Sequence, residues 1–385
     1  MGHTSTTDIL AAARALGPQI EAAADEIDAQ RCLPDAIVEA LRDAGVFRVA
    51  FPTAWGGPEM PILDQVHLVE TLAYHDASTA WVAMICSDSG HYAGRVDDAT
   101  ARELYPTMDL LTAGQIYPVG QATRVDGGYR VTGRWQFGSG SLHADRIIGG
   151  CLVIVDGAPV MTGSGLPEML VAWLPRDEVT IHDTWHTTGL AGSGSNDYSV
   201  SDAFVPAGQV FQPLQPGVRA EPLYRYRGFF FANLAAVSIG CARRMLDDLR
   251  ALMATKMLMP EGVLMKDDGR ALMVLGESTA ALEAAAAYQD DVLGSIWATV
   301  VAGDDPSPEQ RASLLMMLIH GVQTGRRIGE AVTEVVGAQS IYRTSPFERR
   351  RRDLATVAAH VLGQRKTLNL AARLLMGDEP LVAFA

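Results

Sequence analysis

Residues 126–141 read DGGYRVTGRWQFGSGS and pass from a β-strand pattern into a turn of glycine and serine. The first half alternates in the manner of a half-buried strand. A buried strand would normally continue with Val or Ile, but here Gly and Ser fill residues 138–141. The stretch therefore predicts a strand that ends with two aromatic side chains, Trp135 and Phe137, followed by Ser139 between two glycines.

The pattern of apolar residues changes on both sides of the region that contains this strand. Short β-rich runs separated by turn residues fill residues 112–213, whereas apolar residues recur at helical spacing before and after them. Helices and strands are thus segregated, which argues against a parallel α/β sheet. No strand, GxGxxG and helix unit for a nicotinamide dinucleotide appears. We predict a mainly α protein with an N-terminal helical domain (1–111), a central β domain (112–213) and a C-terminal helix bundle (214–385).

Composition excludes several classes of partner. The formal net charge of -14 is spread along the 385 residues, which argues against binding to nucleic acid. The start of the chain lacks a basic segment followed by an apolar run, and no apolar stretch of about 18 residues occurs, so neither a signal peptide nor a membrane span is expected. The four cysteines show no CxxC pairing and are typical of reduced core residues. We expect a cytoplasmic protein.

Four segments in this order resemble the acyl-CoA dehydrogenase fold. They are LPDAIVEALRDAGVFRVAFPTAWGG (33–57), DGGYRVTGRWQFGSG (126–140), TTGLAGSGSNDYSVSDAFVP (187–206) and VVGAQSIYRTSPFERRRRD (335–353). The resemblance implies an N-terminal helical domain, a middle β-barrel, a C-terminal four-helix bundle, a flavin between them and a homotetramer.

One departure from the dehydrogenases of this family indicates a different branch. Many of them carry a catalytic glutamate after the RD pair, but residues 351–364 read RRDLATVAAHVLGQ, with His360 seven residues after Asp353. With GRWQFGSG, and with His91 at the end of CSDSGH, the chain is similar to two-component (group D) flavin-dependent monooxygenases. That branch takes reduced FMN or FAD from a separate NAD(P)H:flavin reductase. It then hydroxylates or oxidises an aromatic or other small organic substrate with O2 through a flavin C4a-hydroperoxide.

The resemblance also assigns roles to single residues. It places Ser139 beside the flavin N5 and His360 against the substrate, and a hydroxyl can either donate to N5 or accept from it. Trp135 and Phe137 would form flat walls around the ring. A neutral histidine can take the proton of a phenol near pH 7, since its ordinary pKa is about 6.5. Asp353 and His360 are spaced to share one helix face. His91 is a second catalytic candidate that could orient the substrate or deliver the proton.

The run from Trp185 to Asp197, WHTTGLAGSGSND, supplies the remaining cofactor candidates. Hydroxyls and backbone amides of such a run can cradle a phosphate or hold the edge of a flavin. The residues concerned are Thr188, Gly189, Ser193 and Ser195. The histidines of the β domain lack the carboxylate or cysteine partners of a metal site, so no metal is predicted.

Alternatives remain at each point. The GRWQFGSG strand could end in an ordinary Gly-Ser hairpin, and His360 and His91 could be core or helix-end histidines. An acyl-CoA dehydrogenase with a relocated base, Glu348, is the second candidate function, and a catalytically silent flavin-binding protein is the third. The choice between FMN and FAD and the identity of the substrate stay open, with phenols, polyketides, steroid rings, amino sugars and thiophenes all compatible.

Overall fold

The computed structural model describes residues 5–378. In this part of the chain, helices come first, strands follow and helices return, in the order expected from the sequence. The helices before the sheet are α1 (Thr6–Ala15), α2 (Gly17–Gln30), α3 (Asp35–Asp43), α4 (Ile62–His75), α5 (Ala77–Cys86), α6 (Ser89–Ala93) and α7 (Asp98–Leu104).

Helix α5 packs against α4, the first strand of the sheet and two helices that follow the sheet. Its N-cap residue Asp76 accepts hydrogen bonds from the amide of Thr79 at 2.7 Å and from its hydroxyl at 2.8 Å, which satisfies an N–H group that the first turn leaves free. Nearly every residue of α5 is buried, because the helix is apolar on all sides. The helix therefore brings its one tryptophan, Trp81, to the inside of the protein.

The central domain is an eight-stranded sheet with the order β6-β7-β2-β1-β3-β5-β8 and with β4 paired to β3. The strands are β1 (Thr112–Val125), β2 (Gly128–Gly138), β3 (Arg146–Val155), β4 (Ala158–Pro159), β5 (Met169–Leu174), β6 (Thr180–His182), β7 (Asn196–Pro206) and β8 (Val210–Phe211). β1 runs antiparallel to β2 and parallel to β3. Within the described residues no pairing joins β6 to β8, so the expected barrel is present as a sheet with two edges.

A β-bulge separates the two aromatic residues of the GRWQFGSG stretch. Strict alternation would place Trp135 and Phe137 on the same face of β2. The register with β7 shifts between Trp135 and Gly138, and Phe137 adopts a left-handed backbone with φ 63°. Such a bulge bends the strand and redirects a side chain. Trp135 is consequently 0% exposed, whereas Phe137 is 58% exposed.

Trp135 belongs to the core of the β domain. Its ring stacks on Tyr198 with centroids 5.3 Å apart, and its indole Nε1 donates to the carbonyl of Gly150 at 2.8 Å. Gly133 and Gly149 lie so close to the indole that an added Cβ would be 2.6 Å from it. A side chain enclosed in this way has no face left for a ligand. The prediction that Trp135 forms a wall of the flavin site is therefore wrong, and of the two rings only that of Phe137 is exposed.

The helices after the sheet share one hydrophobic core with the N-terminal helices. They are α8 (Pro222–Arg225), α9 (Leu234–Met253), α10 (Gly269–Val301), α11 (Pro308–Val336), α12 (Pro346–Ala359) and α13 (Leu368–Leu375), with a short hairpin of β9 (Met257–Leu258) and β10 (Val263–Leu264) after α9. One stretch, Arg227–Met253, is long and apolar enough to cross a membrane, but 78% of its apolar window is buried inside the protein, as in a core helix.

Replacing Trp135 with Ala should lower the free energy of unfolding by about 3–5 kcal/mol, because a fully buried aromatic ring is lost and leaves a cavity. Phe137→Ala is the matched control and should change it by no more than about 0.5 kcal/mol, because the Phe137 side chain is largely exposed. Urea unfolding followed by circular dichroism measures both variants. Equal losses in the two variants would contradict the inward and outward placement of these rings.

Candidate active site

Ser139 lies at the end of a chain of hydrogen-bonded hydroxyl groups. Because β2 and β7 pair antiparallel, the end of β2 and the start of β7 lie side by side. Ser139 Oγ is 2.7 Å from Ser195 Oγ, which is 2.7 Å from Ser193 Oγ. Ser193 Oγ in turn donates to the carbonyl of Leu190 at 2.7 Å. Strand pairing thus brings three of the predicted cofactor residues into one buried network.

Trp81 joins this network to His360. Its indole Nε1 donates to Ser139 Oγ at 2.9 Å. Its ring stands edge-on to the His360 ring, with centroids 5.7 Å apart and planes at 70°. A residue of the buried helix α5 therefore connects the serines of the sheet to the histidine of the bundle.

His360 follows the last residue of α12 and does not lie within the helix. Its backbone is extended, with ψ 141°, and its Nδ1 accepts a hydrogen bond from the Leu362 N–H at 3.3 Å. Burial lowers the pKa of His360 to about 4, so the ring is neutral near pH 7. A neutral ring whose Nδ1 accepts carries its proton on Nε2. This geometry makes Nε2 a donor, which corrects the expectation that His360 takes a proton from the substrate.

Asp353 ties the bundle to the loop that carries the serines. Its Oδ1 accepts the Leu190 N–H at 2.7 Å. Burial, and then the charge of Asp76 at the start of α5, raise the pKa of Asp353 to about 7, while the Leu190 N–H and Arg352 act in the opposite direction and Asp28 adds a smaller increase. The carboxyl group of Asp353 is therefore a buried titrating group at the contact between sheet and bundle.

His91, on the short helix α6, occupies a separate buried position. Its ring lies 5.1 Å from the ring of Phe230 and 6.2 Å from that of Tyr224, and its Nε2 has no hydrogen-bond partner. Burial, and then the charge of Arg95, lower the pKa of His91 to about 4. His91 is therefore a neutral ring with an unpartnered nitrogen. In the described part of the chain, no hydrogen bond or ring contact joins it directly to Ser139 or His360.

Phe230, whose ring contacts His91, also lines a cavity of about 610 Å³, although His91 itself is not among the lining residues. Its walls are mostly aromatic and aliphatic side chains, with two arginines among them. The two arginines are Arg95 and Arg227, and the aromatic lining residues include Tyr92, Tyr117, Phe211 and Phe230. Such a mixture of apolar walls and a few polar groups is typical of small-molecule sites.

Most of the hydrogen-bonding groups of the predicted cradle, in residues 185–197, bond to the protein itself. The amides of Leu190, Ser193 and Gly194 are bonded to the protein, as are both serine hydroxyls. A Cβ on Gly189 would collide with the carbonyl of Arg352. Of this set, Thr188 keeps an exposed side chain, and its carbonyl accepts from Arg352.

The expectation of a phosphate cradle is therefore corrected. Ser193 and Ser195 are 1% and 3% exposed, and their hydroxyls bond within the buried network that includes Ser139. Gly189 is needed for close packing against α12.

Comparison with known proteins identifies the family. The model named "Acyl-CoA dehydrogenase, N-terminal domain" matches residues 8–94, and "Acyl-CoA dehydrogenase, C-terminal domain" matches residues 232–365. Indole-3-acetate monooxygenase of Pseudomonas putida is 30% identical over 387 residues, covering 97% of this chain and 97% of that protein. The chain belongs to the acyl-CoA dehydrogenase fold family.

A second curated protein and a solved structure also match the chain. "Flavin-dependent monooxygenase, oxygenase subunit HsaA" of Rhodococcus jostii is 28% identical over 367 residues, covering 90% of this chain and 92% of that protein. The structure of XiaF from Streptomyces sp. in complex with FADH2 and glycerol matches with a TM-score of 0.91 and 22% identity, covering 98% of this chain and 97% of the other. This acyl-CoA dehydrogenase-fold chain is thus related to oxygenase subunits of two-component flavin-dependent monooxygenases.

The residues around Ser139 fit the flavin that this acyl-CoA dehydrogenase-fold family implies. Phe137 presents a largely exposed ring at the end of β2, perpendicular to the half-buried Trp185 at 6.3 Å. Exposed aromatic rings at a strand end suit contact with a flat cofactor. Phe137, Trp185 and Ser139 would hold the ring system, and Thr188, whose side chain is exposed, would offer a hydroxyl to it.

The candidate base of the dehydrogenase alternative, Glu348, is held in an ion pair. Glu348, in the first turn of α12, has its two carboxylate oxygens 2.8 and 2.7 Å from Arg352 Nε, and they share its single N–H. Both oxygens of this buried carboxylate are therefore already engaged by a partner within the protein. Within residues 5–378, moreover, no group of three or more His, Cys, Asp or Glu is arranged to hold a metal ion.

Replacing Asp353 with Asn tests the buried carboxyl. The pKa of Asp353 in the folded protein, about 7, lies above the ordinary 3.8, so between these pH values the folded state holds a proton that the unfolded chain has released. The stability of the unaltered protein should therefore fall as the pH rises through this window. Asn keeps an oxygen for the Leu190 N–H and does not titrate.

The melting temperature of Asp353→Asn should thus exceed that of the unaltered protein by a margin that grows as the pH rises from about 5 to about 8. Differential scanning calorimetry over that range measures the margin. Asp353→Ala, which loses the bond to Leu190, should be less stable than Asp353→Asn at every pH. A margin independent of pH would show that Asp353 does not titrate in this range.

Proposed function

We propose that this chain is the oxygenase component of a two-component monooxygenase that oxidises an aromatic substrate bearing a carboxylate. The observation that carries the proposal is the cavity lined by Phe230, in which apolar walls meet Arg95 and Arg227. An aromatic ring suits the walls, and an anion suits the two arginines.

The two arginines favour an anionic group. Arg95 donates to the carbonyls of Gln212, at 2.9 Å, and Gln215, while its buried Nε has no partner. Burial, and then the charge of Arg227, lower the pKa of Arg95 to about 10. A carboxylate between the two guanidinium groups would reduce this repulsion and accept charge-assisted hydrogen bonds. The Pseudomonas putida relative is named for such a compound, indole-3-acetate.

The overall reaction balances with dioxygen and a reduced flavin. One oxygen atom enters a C–H bond of the ring, and the other leaves as water, with two electrons and two protons supplied by reduced FMN or FAD. His91 Nε2, neutral and unpartnered, accepts the proton of a ring O–H or N–H. His360 Nε2–H donates to an oxygen that gains negative charge. Trp81 fills the space between Ser139 and His360 and keeps water out.

The proposal includes a partner. The reduced flavin comes from a separate NAD(P)H:flavin reductase, as the "oxygenase subunit" of the HsaA relative implies. The expected homotetramer is supported by exposed apolar side chains on the bundle, among them Ile341, Tyr342 and Met376. A cytoplasmic location stays a prediction.

The central experiment supplies FMN or FAD, reduced by a flavin reductase and NADH, and measures oxygen uptake and product from indole-3-acetate and 4-hydroxyphenylacetate. Product should form only with reduced flavin present. Reduction of bound flavin by an acyl-CoA thioester would instead support the dehydrogenase alternative. Flavin binding without turnover of any aromatic acid would favour the silent flavin-binding protein.

Replacing Arg227 with Met should raise KM for an aryl acetate about 10- to 100-fold, because a hydrogen bond to a charged group contributes about 1.5–3 kcal/mol. KM for the uncharged ring compound, such as indole, should stay unchanged. Arg225→Met is the matched control, since Arg225 is exposed and donates to the carbonyl of Gly303 at 2.6 Å. An equal rise in KM for charged and uncharged substrates would rule out a carboxylate subsite at Arg227.

Replacing His91 with Gln should lower kcat for 4-hydroxyphenylacetate by about 10²- to 10⁴-fold, the usual contribution of a general base, with oxygen uptake diverted to hydrogen peroxide. Because the pKa of His91 is about 4, kcat/KM of the unaltered enzyme should stay level between about pH 6 and about pH 8. His67→Gln, on the exposed surface beside Asp290, is the control. Full turnover by His91→Gln would remove His91 from the mechanism.

A further inference from the structure

The hydroxyl chain behind Ser139 has a fixed direction. Its far end is the carbonyl oxygen of Leu190, which can only accept. Ser193 Oγ lies 2.7 Å from that oxygen, so the single hydroxyl proton of Ser193 points to Leu190. Ser195 must then donate to Ser193, because Ser193 has no second proton.

The same reasoning fixes Ser139. Since the Ser195 proton is used on Ser193, the 2.7 Å bond between Ser139 and Ser195 is donated by Ser139. At the near end, Trp81 Nε1–H can only donate, so Ser139 Oγ accepts from it at 2.9 Å. Both ends of the chain thus give the same direction of donation. Ser139 Oγ keeps one lone pair for a ligand, whereas its proton is already donated to Ser195.

The chain is held in place at its far end. The Leu190 carbonyl also accepts from Trp185 Nε1 at 2.9 Å, and the Leu190 amide is bonded to Asp353 at 2.7 Å. The Gly140 amide donates to the Ser193 carbonyl at 3.0 Å and joins the two loops. Because the three serines are no more than 5% exposed, water has little access to reverse the direction.

This direction matters because N5 of a flavin changes its hydrogen-bonding character with oxidation state. Reduced flavin carries a proton on N5 and donates, whereas oxidised flavin presents a lone pair and needs a donor. We propose that Ser193 and Ser195 are positioning residues that hold Ser139 as an acceptor, so that the site prefers reduced to oxidised flavin. The inference rests on the proposed function, in which Ser139 meets N5.

The test compares the dissociation constants of oxidised and reduced FMN, the latter measured anaerobically, for the unaltered protein and for Ser195→Ala. Removing the Ser195 hydroxyl frees the Ser139 proton to donate to oxidised flavin. The ratio of the oxidised to the reduced dissociation constant should fall at least about tenfold, and the midpoint potential of bound FMN should fall by about 30 mV for each tenfold change. Dye-coupled anaerobic titration measures that potential.

Ser141→Ala is the matched control. Ser141 belongs to the same loop and is fully buried, but its hydroxyl has no hydrogen-bond partner, so its removal should leave the ratio unchanged. Ser195→Thr, which keeps a hydroxyl, should retain the preference. If Ser195→Ala does not fold, Ser193→Ala serves instead and should lower the ratio in the same direction, because Ser195 can then donate to Ser139.

An unchanged ratio and potential in a folded Ser195→Ala or Ser193→Ala protein would overturn the inference while leaving the monooxygenase proposal intact. An unaltered protein that binds neither reduced nor oxidised FMN, nor FAD in the same assay, would overturn both.

Discussion

The hydrogen bond between the Leu190 amide and the buried carboxyl of Asp353 joins the two halves of the candidate site. It fixes a loop of the sheet against α12, and the carbonyl of the same residue ends the hydroxyl chain that leads to Ser139. Just after the C-terminal end of α12, His360 contacts Trp81, which in turn donates to Ser139. Displacement of this one loop would therefore disturb groups contributed by both the sheet and the bundle.

Architecture was predictable because it depends on periodicity. The spacing of apolar residues separates helices from strands along the whole chain, and four short motifs in order indicate the family. The alternation that predicts β2 also predicts Trp135 and Phe137 on one face, and that inference failed because a bulge inserts a residue between them. A bulge depends on pairing with β7, about 60 residues away, which local pattern does not report.

The candidate site was predictable only where a motif marks it. Ser139, Ser193 and Ser195 stand out among glycines, but their mutual bonds require the pairing of distant strands. Trp81 gave no signal, since a tryptophan in an all-apolar helix is usually core. The juxtaposition of Arg95 and Arg227 arises from tertiary packing alone. His360 was expected on a helix face, and its role changed because α12 ends one residue before it.

The fixed direction of the hydroxyl protons would make the exchange of flavin between a reductase and the oxygenase directional. A flavin that diffuses between the two proteins is reused efficiently when the oxygenase releases oxidised flavin more readily than reduced flavin. Because Ser139 can only accept, this difference in release follows from the single proton on flavin N5. It requires no lid, hinge or domain movement. Oxidation of the flavin during the reaction would therefore itself favour release of the flavin from the oxygenase.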